Sequence, residues 1–189
     1  MKFTPVKRKQ HVRRSDETIF VPKTTEQSNI VIGVPGLDRS DDRRYTLSLL
    51  NAVLGGGMSS RLFQEVREKR GLVYSVYSFA QQYLDSGMVG VYAGCGPARL
   101  SAVQETVAMV LDDVATNGVT AAELEKAKGQ LAGGMVLGLE DTGSRMSRIA
   151  KAELTTGNVP SVSQVLERVQ AVTLDEVNSL AHHLWSQPR

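Results

Sequence analysis

The sequence predicts an α+β fold, in which a mostly antiparallel sheet carries helices on one face and a helical part follows at the C-terminus. Three observations support this fold class. Short apolar segments bounded by turn residues occupy the first half of the chain. A turn at Asp85-Ser86-Gly87 joins two of them as a hairpin, and hairpins pair their strands antiparallel. From residue 97 onward, apolar residues recur at helical spacing.

Length and composition fit one soluble domain. The chain has 189 residues, of which 41% are hydrophobic and 22% charged, as in ordinary globular proteins. The net charge of +2 is too small to indicate binding to nucleic acid or to an anionic membrane. The N-terminus lacks the apolar run of a signal peptide and no segment is long enough to span a membrane, so we expect a cytoplasmic protein. Cys95 is the single cysteine, which excludes an internal disulfide.

Residues 1–14 form a basic, linker-like segment ahead of a single domain at 15–189. Their densest charge run, residues 7–14, is open to two interpretations, a nucleic-acid-binding arm and a solvated linker. No aromatic residue interleaves with these charges to stack on bases, so the linker is favoured.

The domain is predicted to begin with two strands, over residues 17–22 and 29–34. A helix follows over residues 41–54, with Ser40 as its N-cap. Apolar residues at helical spacing indicate this helix, namely Leu47, Leu50, Val53 and Leu54. The glycines Gly55, Gly56 and Gly57 end it, because consecutive glycines are unfavourable in a helix.

A short second helix and the hairpin come next. The helix is predicted to start at Ser59 or Ser60 and to end near Gly71. The hairpin strands are predicted over residues 73–82 and 87–95.

In the second hairpin strand, alternate residues form a core face, which consists of Val89, Val91, Ala93 and Cys95. The opposite face consists of Met88, Gly90, Tyr92 and Gly94. Its glycines allow either a surface that faces a cavity or a strand that twists or bulges.

The C-terminal part is predicted to be helical. An apolar stripe indicates a helix that ends at Asn117-Gly118; it is formed by Val103, Val107, Val110, Leu111 and Val114. Further helices are predicted over about 124–139, weakened by Gly133-Gly134, and over about 144–154. Three capping boxes mark helix starts: Thr120 with Glu123, Ser161 with Gln164, and Thr173 with Glu176.

No metal site is predicted in this chain. The histidines are His11, His182 and His183, and adjacent helical residues point about 100° apart, which seldom lets them bind one ion. The glycine run matches neither phosphate-binding pattern. Ser59 and Ser60 lack the elbow of a serine nucleophile, and helix capping accounts for them.

Arg67 and Tyr74 stand seven residues apart across a helix–strand junction. Glu65 has Arg61 and Lys69 at four-residue spacing and is predicted to pair with both, whereas Arg67 has no carboxylate at that spacing. From the residues alone, an exposed helix arginine and a strand-packing tyrosine are the ordinary interpretations.

The stretch Gly-Gly-Gly-Met-Ser-Ser-Arg-Leu-Phe-Gln-Glu-Val-Arg-Glu-Lys-Arg-Gly-Leu-Val-Tyr-Ser, residues 55–75, resembles the second-half domain of zinc peptidases of the pitrilysin, insulinase and mitochondrial-processing-peptidase family. The processing-peptidase-like bacterial members are the most similar, and the resemblance extends over about residues 26–184. In that family the zinc motif H-x-x-E-H belongs to the first half, and this chain has no such motif.

The resemblance implies roles for particular residues. Arg67 and Tyr74 correspond to a catalytic arginine and tyrosine that bind the substrate backbone and support the tetrahedral intermediate opposite the zinc. The segment with Gly55, Gly56, Gly57, Ser59 and Ser60 corresponds to a glycine-rich segment near the substrate. Zinc is expected in the first half and not in this chain.

These observations leave three functional hypotheses. The first is the substrate-binding C-terminal half of a zinc endopeptidase that cleaves peptides or presequences, inactive without a first-half zinc-binding domain. The second is a non-catalytic partner or structural subunit of the same family. The third is a generic α+β binding module. Retention of the arginine and tyrosine favours the first. A homodimer through the glycine-lined strand face is possible, and whether the chain is a fragment or a free-standing subunit stays open.

Overall fold

The structure is a computed structural model and describes residues 25–188. The elements run β1 (Ser28–Pro35), α1 (Arg44–Gly55), a π-helical segment (Phe63–Glu68), β2 (Ser75–Gln82) and β3 (Gly87–Cys95). After a 3₁₀ turn at Pro97–Arg99 come α2 (Leu100–Asn117), α3 (Ala121–Gly138), α4 (Thr142–Thr156), α5 (Val162–Ala171) and α6 (Leu174–Trp185). The basic segment at 1–14 and the strand predicted at 17–22 lie outside the described residues.

Within this range the sheet has three antiparallel strands in the order β1–β3–β2. Val91 of the central strand stands opposite Ile32 on one side and Ser78 on the other. The hairpin closes with a hydrogen bond from the Tyr83 N–H to the Ser86 carbonyl at 2.8 Å. The predicted α+β class, with a mostly antiparallel sheet and a helical C-terminal part, is confirmed.

Helices cover one face of the sheet. The β3 side chains predicted for the core are all at most 2% exposed: Val89, Val91, Ala93 and Cys95. Helix α1 packs against β2 and α3, and α2 packs against α6. Trp185, at the end of α6, is buried in this core. Burying this apolar layer is the main source of stability of such a fold.

The opposite face of the sheet is exposed. Val31, Tyr77 and Met88 are each at least 40% exposed there. The β1–β3 and β2–β3 registers are continuous, so β3 contains no bulge. A Cβ atom at Gly90 would come within 2.7 Å of the Phe79 ring, so the glycine leaves room for an aromatic ring of the neighbouring strand.

Several predicted helix and strand ends are wrong by a few residues. Helix α1 begins at Arg44, and Ser40 is not its cap, because the Ser40 hydroxyl donates to the Asp38 carboxylate at 2.6 Å. Strand β2 begins at Ser75 and not at residue 73. Helix α4 runs from Thr142 to Thr156, with Asp141 as its N-cap. These ends depend on side-chain partners that the apolar spacing does not reveal.

The three predicted capping boxes are confirmed. In each, the hydroxyl oxygen accepts the N–H of the residue three positions on, and that residue's side chain accepts the N–H of the cap. The boxes satisfy backbone groups at the starts of α3, α5 and α6 that lack an intrahelical partner.

Candidate functional site

Arg67 lies in the π-helical segment, where the structure departs from the regular helix that the sequence predicts. The Lys69 N–H donates to the Gln64 carbonyl, five residues back, at 2.9 Å. Such π turns are rare and occur frequently at functional sites. The Arg67 side chain is exposed, with its guanidinium carbon 5.0 Å from the centre of the Phe63 ring. Among the described residues it has no carboxylate partner.

The neighbouring charges are paired with one another. Glu65 binds Lys69, as predicted, and also Arg70, with an N–O distance of 2.6 Å. The predicted pair between Arg61 and Glu65 is wrong, because Arg61 turns to Glu123 on α3, at 2.7 Å, and Asp113 on α2, at 2.8 Å. Arg67 is therefore the arginine of this stretch whose donors remain available to a ligand.

Tyr74 lies immediately before β2, with its backbone fixed and its side chain exposed. Its N–H donates to the Gly94 carbonyl on β3 at 2.9 Å. The side chain is 65% exposed, and its hydroxyl has no hydrogen-bond partner in the part of the chain that is described. The strand-packing interpretation of Tyr74 is therefore wrong. A phenol held on a fixed backbone and open to solvent is suited to donate to a ligand.

The connection from Arg67 to Tyr74 is held by backbone hydrogen bonds. The Gly71 N–H donates to the Arg67 carbonyl at 2.9 Å, and the Leu72 N–H donates to the Val66 carbonyl at 3.0 Å. Gly71 has a φ of +58°, which a glycine adopts without strain. The Arg99 guanidinium donates to the Gly71 carbonyl. The two exposed donors therefore stand at the ends of a segment whose backbone is held by hydrogen bonds, which helps to preorganise a site.

The glycine run forms a packed turn between α1 and the π-helical segment. A Cβ atom at Gly55 would come within 2.2 Å of the Ser78 nitrogen, so this glycine lets α1 lie close against β2. The Gln130 side chain donates to the Gly56 carbonyl at 2.8 Å, and a Cβ atom at Gly57 would come within 3.2 Å of its nitrogen. These contacts explain the glycines by packing, and the substrate contact predicted for them stays a prediction.

The two serines of this turn differ. Ser60 is 3% exposed and donates to the Gly57 carbonyl at 2.6 Å, so it closes the turn. Ser59 is exposed beside a small cleft that Glu123 and Gln130 also line. Substrate binding by these serines also stays a prediction.

The ion pair between Arg61 and Glu123 is a feature that sequence reasoning missed. The two residues are 62 positions apart, so no local spacing signals their contact. The Arg61 guanidinium, with help from Thr120, lowers the pKa of the Glu123 carboxyl to about 2. This pair joins the chain just before the π-helical segment to the first turn of α3.

The described residues do not fit a zinc site. They contain no group of three or more histidine, cysteine, aspartate or glutamate side chains that could hold a metal ion. His182 and His183 are exposed on α6, where a ring nitrogen of His182 lies 3.2 Å from the Ala115 carbonyl oxygen. His11 lies outside the described residues. No helix among residues 25–188 has the length and apolar character needed to cross a membrane.

Several bacterial proteins resemble this chain, and two of them illustrate the similarity. An uncharacterized zinc protease of Streptomyces coelicolor is 50% identical over 170 residues, which cover 90% of this chain and 37% of the relative. An uncharacterized zinc protease of Bacillus subtilis is 44% identical, over 90% of this chain and 42% of the relative. The chain therefore spans about two fifths of the length of these relatives.

The fold also has a solved counterpart. A crystal structure described as a peptidase M16 inactive domain from Pseudomonas fluorescens matches with a TM-score of 0.74 and 28% identity, over 85% of this chain and 38% of that chain. The sequence profile described as "Peptidase M16 inactive domain" matches residues 2–131, which contain the glycine turn, the π-helical segment and the whole sheet. By this match the chain belongs to the family of inactive domains of M16 peptidases.

Proposed function

We propose that this chain is the substrate-binding half of a zinc metallopeptidase, in which Arg67 and Tyr74 bind the peptide backbone at the bond to be cleaved. One observation carries the proposal. Two hydrogen-bond donors, each exposed and without a polar partner among residues 25–188, stand at the ends of one tied segment. The relatives of the chain are named zinc proteases, which supports peptides as the ligand class.

The two side chains suit a carbonyl oxygen that gains negative charge. A guanidinium stays protonated at all working pH values and offers several N–H donors, and a phenol offers one O–H. Hydrogen bonds of this kind strengthen as the oxygen becomes an oxyanion, so they stabilise the transition state more than the bound peptide. Neither side chain has to leave a carboxylate partner before it binds.

The role requires a second component. The described residues lack a ligand set for zinc, so this domain alone provides substrate contacts and no metal. We propose that a companion zinc-bearing half, on the same or a partner chain, supplies the metal and encloses the peptide, and that the complete protein works in the cytoplasm. The exposed parts of the glycine turn, at Gly56 and Ser59, form a secondary part of the proposed peptide-binding surface.

The test uses the complete protein, with its zinc-bearing half present. Tyr74→Phe and Arg67→Ala should each lower kcat by about 10²–10³, or about 3–4 kcal/mol of transition-state stabilisation. The melting temperature should stay unchanged, because both side chains are exposed. Tyr74→Phe is the sharper variant, since it removes one hydroxyl and keeps the ring.

Two matched controls separate the proposed roles from general surface effects. Tyr83→Phe removes the hydroxyl of another tyrosine, which is 59% exposed. Arg168→Ala removes another exposed arginine that lies over a ring, with its guanidinium carbon 5.7 Å from the centre of Tyr45. Both controls should keep normal kcat. Normal turnover in Tyr74→Phe and Arg67→Ala as well would refute the assigned roles and favour a non-catalytic subunit.

A further inference from the structure

Helix α4 has an apolar face that nothing in the described chain covers. Its 15 residues include no buried side chain, whereas each of the other α-helices described buries at least one. Met146 is 66% exposed, Ile149 46% and Leu154 85%. With Ala150, these residues recur at the spacing that places side chains on one face of a helix, and we call them the α4 apolar face.

The helix is well formed in spite of this exposure. The Asp141 carboxylate accepts the Ser144 N–H at 2.6 Å, and Gly157 ends the helix with a φ of +64°. Arg148 donates to the Pro160 carbonyl at 3.0 Å. The caps hold its two ends, but a helix of this length is marginal in water without a buried apolar face. An exposed apolar face of this kind is typical of a surface that binds another segment or chain.

Two features of the surrounding surface indicate what kind of partner covers the α4 apolar face. The end of α3, which leads into α4, exposes Val136 by 52% and Leu137 by 67%. The charged residues of α4 are Arg145, Arg148, Lys151 and Glu153, and Arg148 is half-buried with its guanidinium on the Pro160 carbonyl. The two exposed cations fall short of the clusters of basic residues that bind nucleic acid or an anionic membrane. The apolar character of this surface is typical of a permanent protein interface.

We infer that the α4 apolar face is the docking surface for the companion half, an inference that rests on the proposed function. The chain spans 37% and 42% of the two relatives, so more than half of their length lies outside it and is available to cover this face. A permanent partner of that size buries a core-like apolar patch in preference to a polar one.

The exposed sheet face is another apolar surface of the described chain, and its chemistry differs. Tyr77 stacks on Tyr92 with ring centres 4.9 Å apart, and the Tyr92 hydroxyl is 2.6 Å from the Asn29 side-chain oxygen. Tyr74 immediately precedes β2 of this sheet, and its N–H is bonded to Gly94 on β3. Aromatic rings with polar tips suit contacts with peptides of varied sequence. The α4 apolar face therefore fits the companion half better than the sheet face does.

Hydrogen exchange tests this assignment, in the 189-residue chain and in the complete protein with both halves. We expect the α4 amides to exchange at least about tenfold more slowly in the complete protein, because docking suppresses opening of the helix. Ile149→Glu should restore fast exchange in the complete protein and leave the melting temperature of the 189-residue chain unchanged.

Matched variants make the result specific. Met109→Glu changes a side chain on α2 that is 47% exposed, and Met88→Glu changes one on the sheet face that is 40% exposed. Both should leave α4 protected. Equal exchange of α4 in the two samples would overturn the inference. Slower exchange in the 189-residue chain as its concentration rises would overturn it too, because the occupant would then be a second copy. Arg67→Ala should keep α4 protected whether or not it lowers kcat. A failure of the proposed catalytic roles can therefore be distinguished from a failure of the docking inference.

Discussion

Gly55 sets how closely α1 approaches the sheet. Its backbone lies against Ser78 of β2, where a Cβ atom would stand 2.2 Å from a backbone nitrogen and 2.6 Å from the side-chain oxygen. Gly55→Ala should therefore force α1 away from β2 and destabilise the fold by about 2–3 kcal/mol. Urea unfolding of the purified chain measures this change.

Gly129 provides the opposite case. It lies within α3, and a Cβ atom there would meet nothing within 4 Å. Gly129→Ala should stabilise the chain by about 0.5–1 kcal/mol, since alanine loses less backbone entropy in a helix. Equal effects of the two substitutions would contradict the proposed role of Gly55 in packing.

The ion pair between Arg61 and Glu123 should make stability depend on pH. Its hydrogen bond to Arg61 lowers the pKa of Glu123 from its ordinary value of 4.5 to about 2. Because the folded value is the lower one, the pair contributes fully above pH 4.5 and loses its contribution as the pH falls towards 2. Glu123→Gln should flatten the unfolding free energy over that range and cost about 1–2 kcal/mol at neutral pH, after allowance for solvent screening.

The control for this prediction is Glu105→Gln, on the exposed side of α2. Glu105 accepts a hydrogen bond from Ser101 at 3.0 Å and has no arginine partner among the described residues. The Glu105→Gln variant should leave the pH dependence of the unfolding free energy unchanged. A Glu123→Gln chain with the pH profile of the wild type would show that the carboxylate is not stabilised by Arg61 in solution.

At the scale of the element, the start of α6 gives a direct test of capping. Thr173 accepts the Glu176 N–H at 3.3 Å, and the helix that follows places Leu180 and Trp185 in the core. Thr173→Ala should lower the unfolding free energy by about 1 kcal/mol. Ser179→Ala, at an exposed position inside the same helix, should change it by less than about 0.5 kcal/mol. Urea unfolding of the two variants measures both changes.

The elements that the sequence predicts well are those with local causes. The capping boxes join residues three positions apart, and the alternation along β3 is a property of the strand itself, so both are visible in the sequence. The π-helical segment was not predicted. Its wide turn fits the bond from Leu72 back to Val66, and the chain then turns to place Val73 in the core. Such a turn depends on packing that no local pattern encodes.

In the candidate site too, local features are predictable and long-range contacts are not. The family resemblance points to Arg67 and Tyr74, and the structure adds that both side chains are exposed and that backbone hydrogen bonds hold the segment between them. Local spacing assigned Arg61 to Glu65, whereas a carboxylate on α3 binds it in the fold. Long-range partners of this kind are decided by the packing of helices and not by spacing along one helix.

At the scale of the whole molecule, the two faces of the sheet in the described chain differ. One sheet face is buried under helices, and the other exposes aromatic side chains such as Tyr77. The chain also spans only about two fifths of its relatives' length. In the proposed role this domain holds the peptide, but metal-assisted hydrolysis also requires an activated water, for which residues 25–188 offer no metal-binding group.

The isolated chain should therefore fold but neither retain zinc nor cleave peptides. A catalytic zinc needs three protein ligands, and the two histidines of α6 point about 100° apart. After incubation with zinc and dialysis against dilute chelator, elemental analysis should find far less than one zinc per chain, and a fluorogenic peptide should stay intact. The double variant His182→Ala, His183→Ala should give the same result. Stoichiometric zinc in the wild type that this variant loses would place a metal site on α6. Stoichiometric zinc in both, together with cleavage, would place the active centre among residues outside the described range and would end the proposal that this domain needs a companion half.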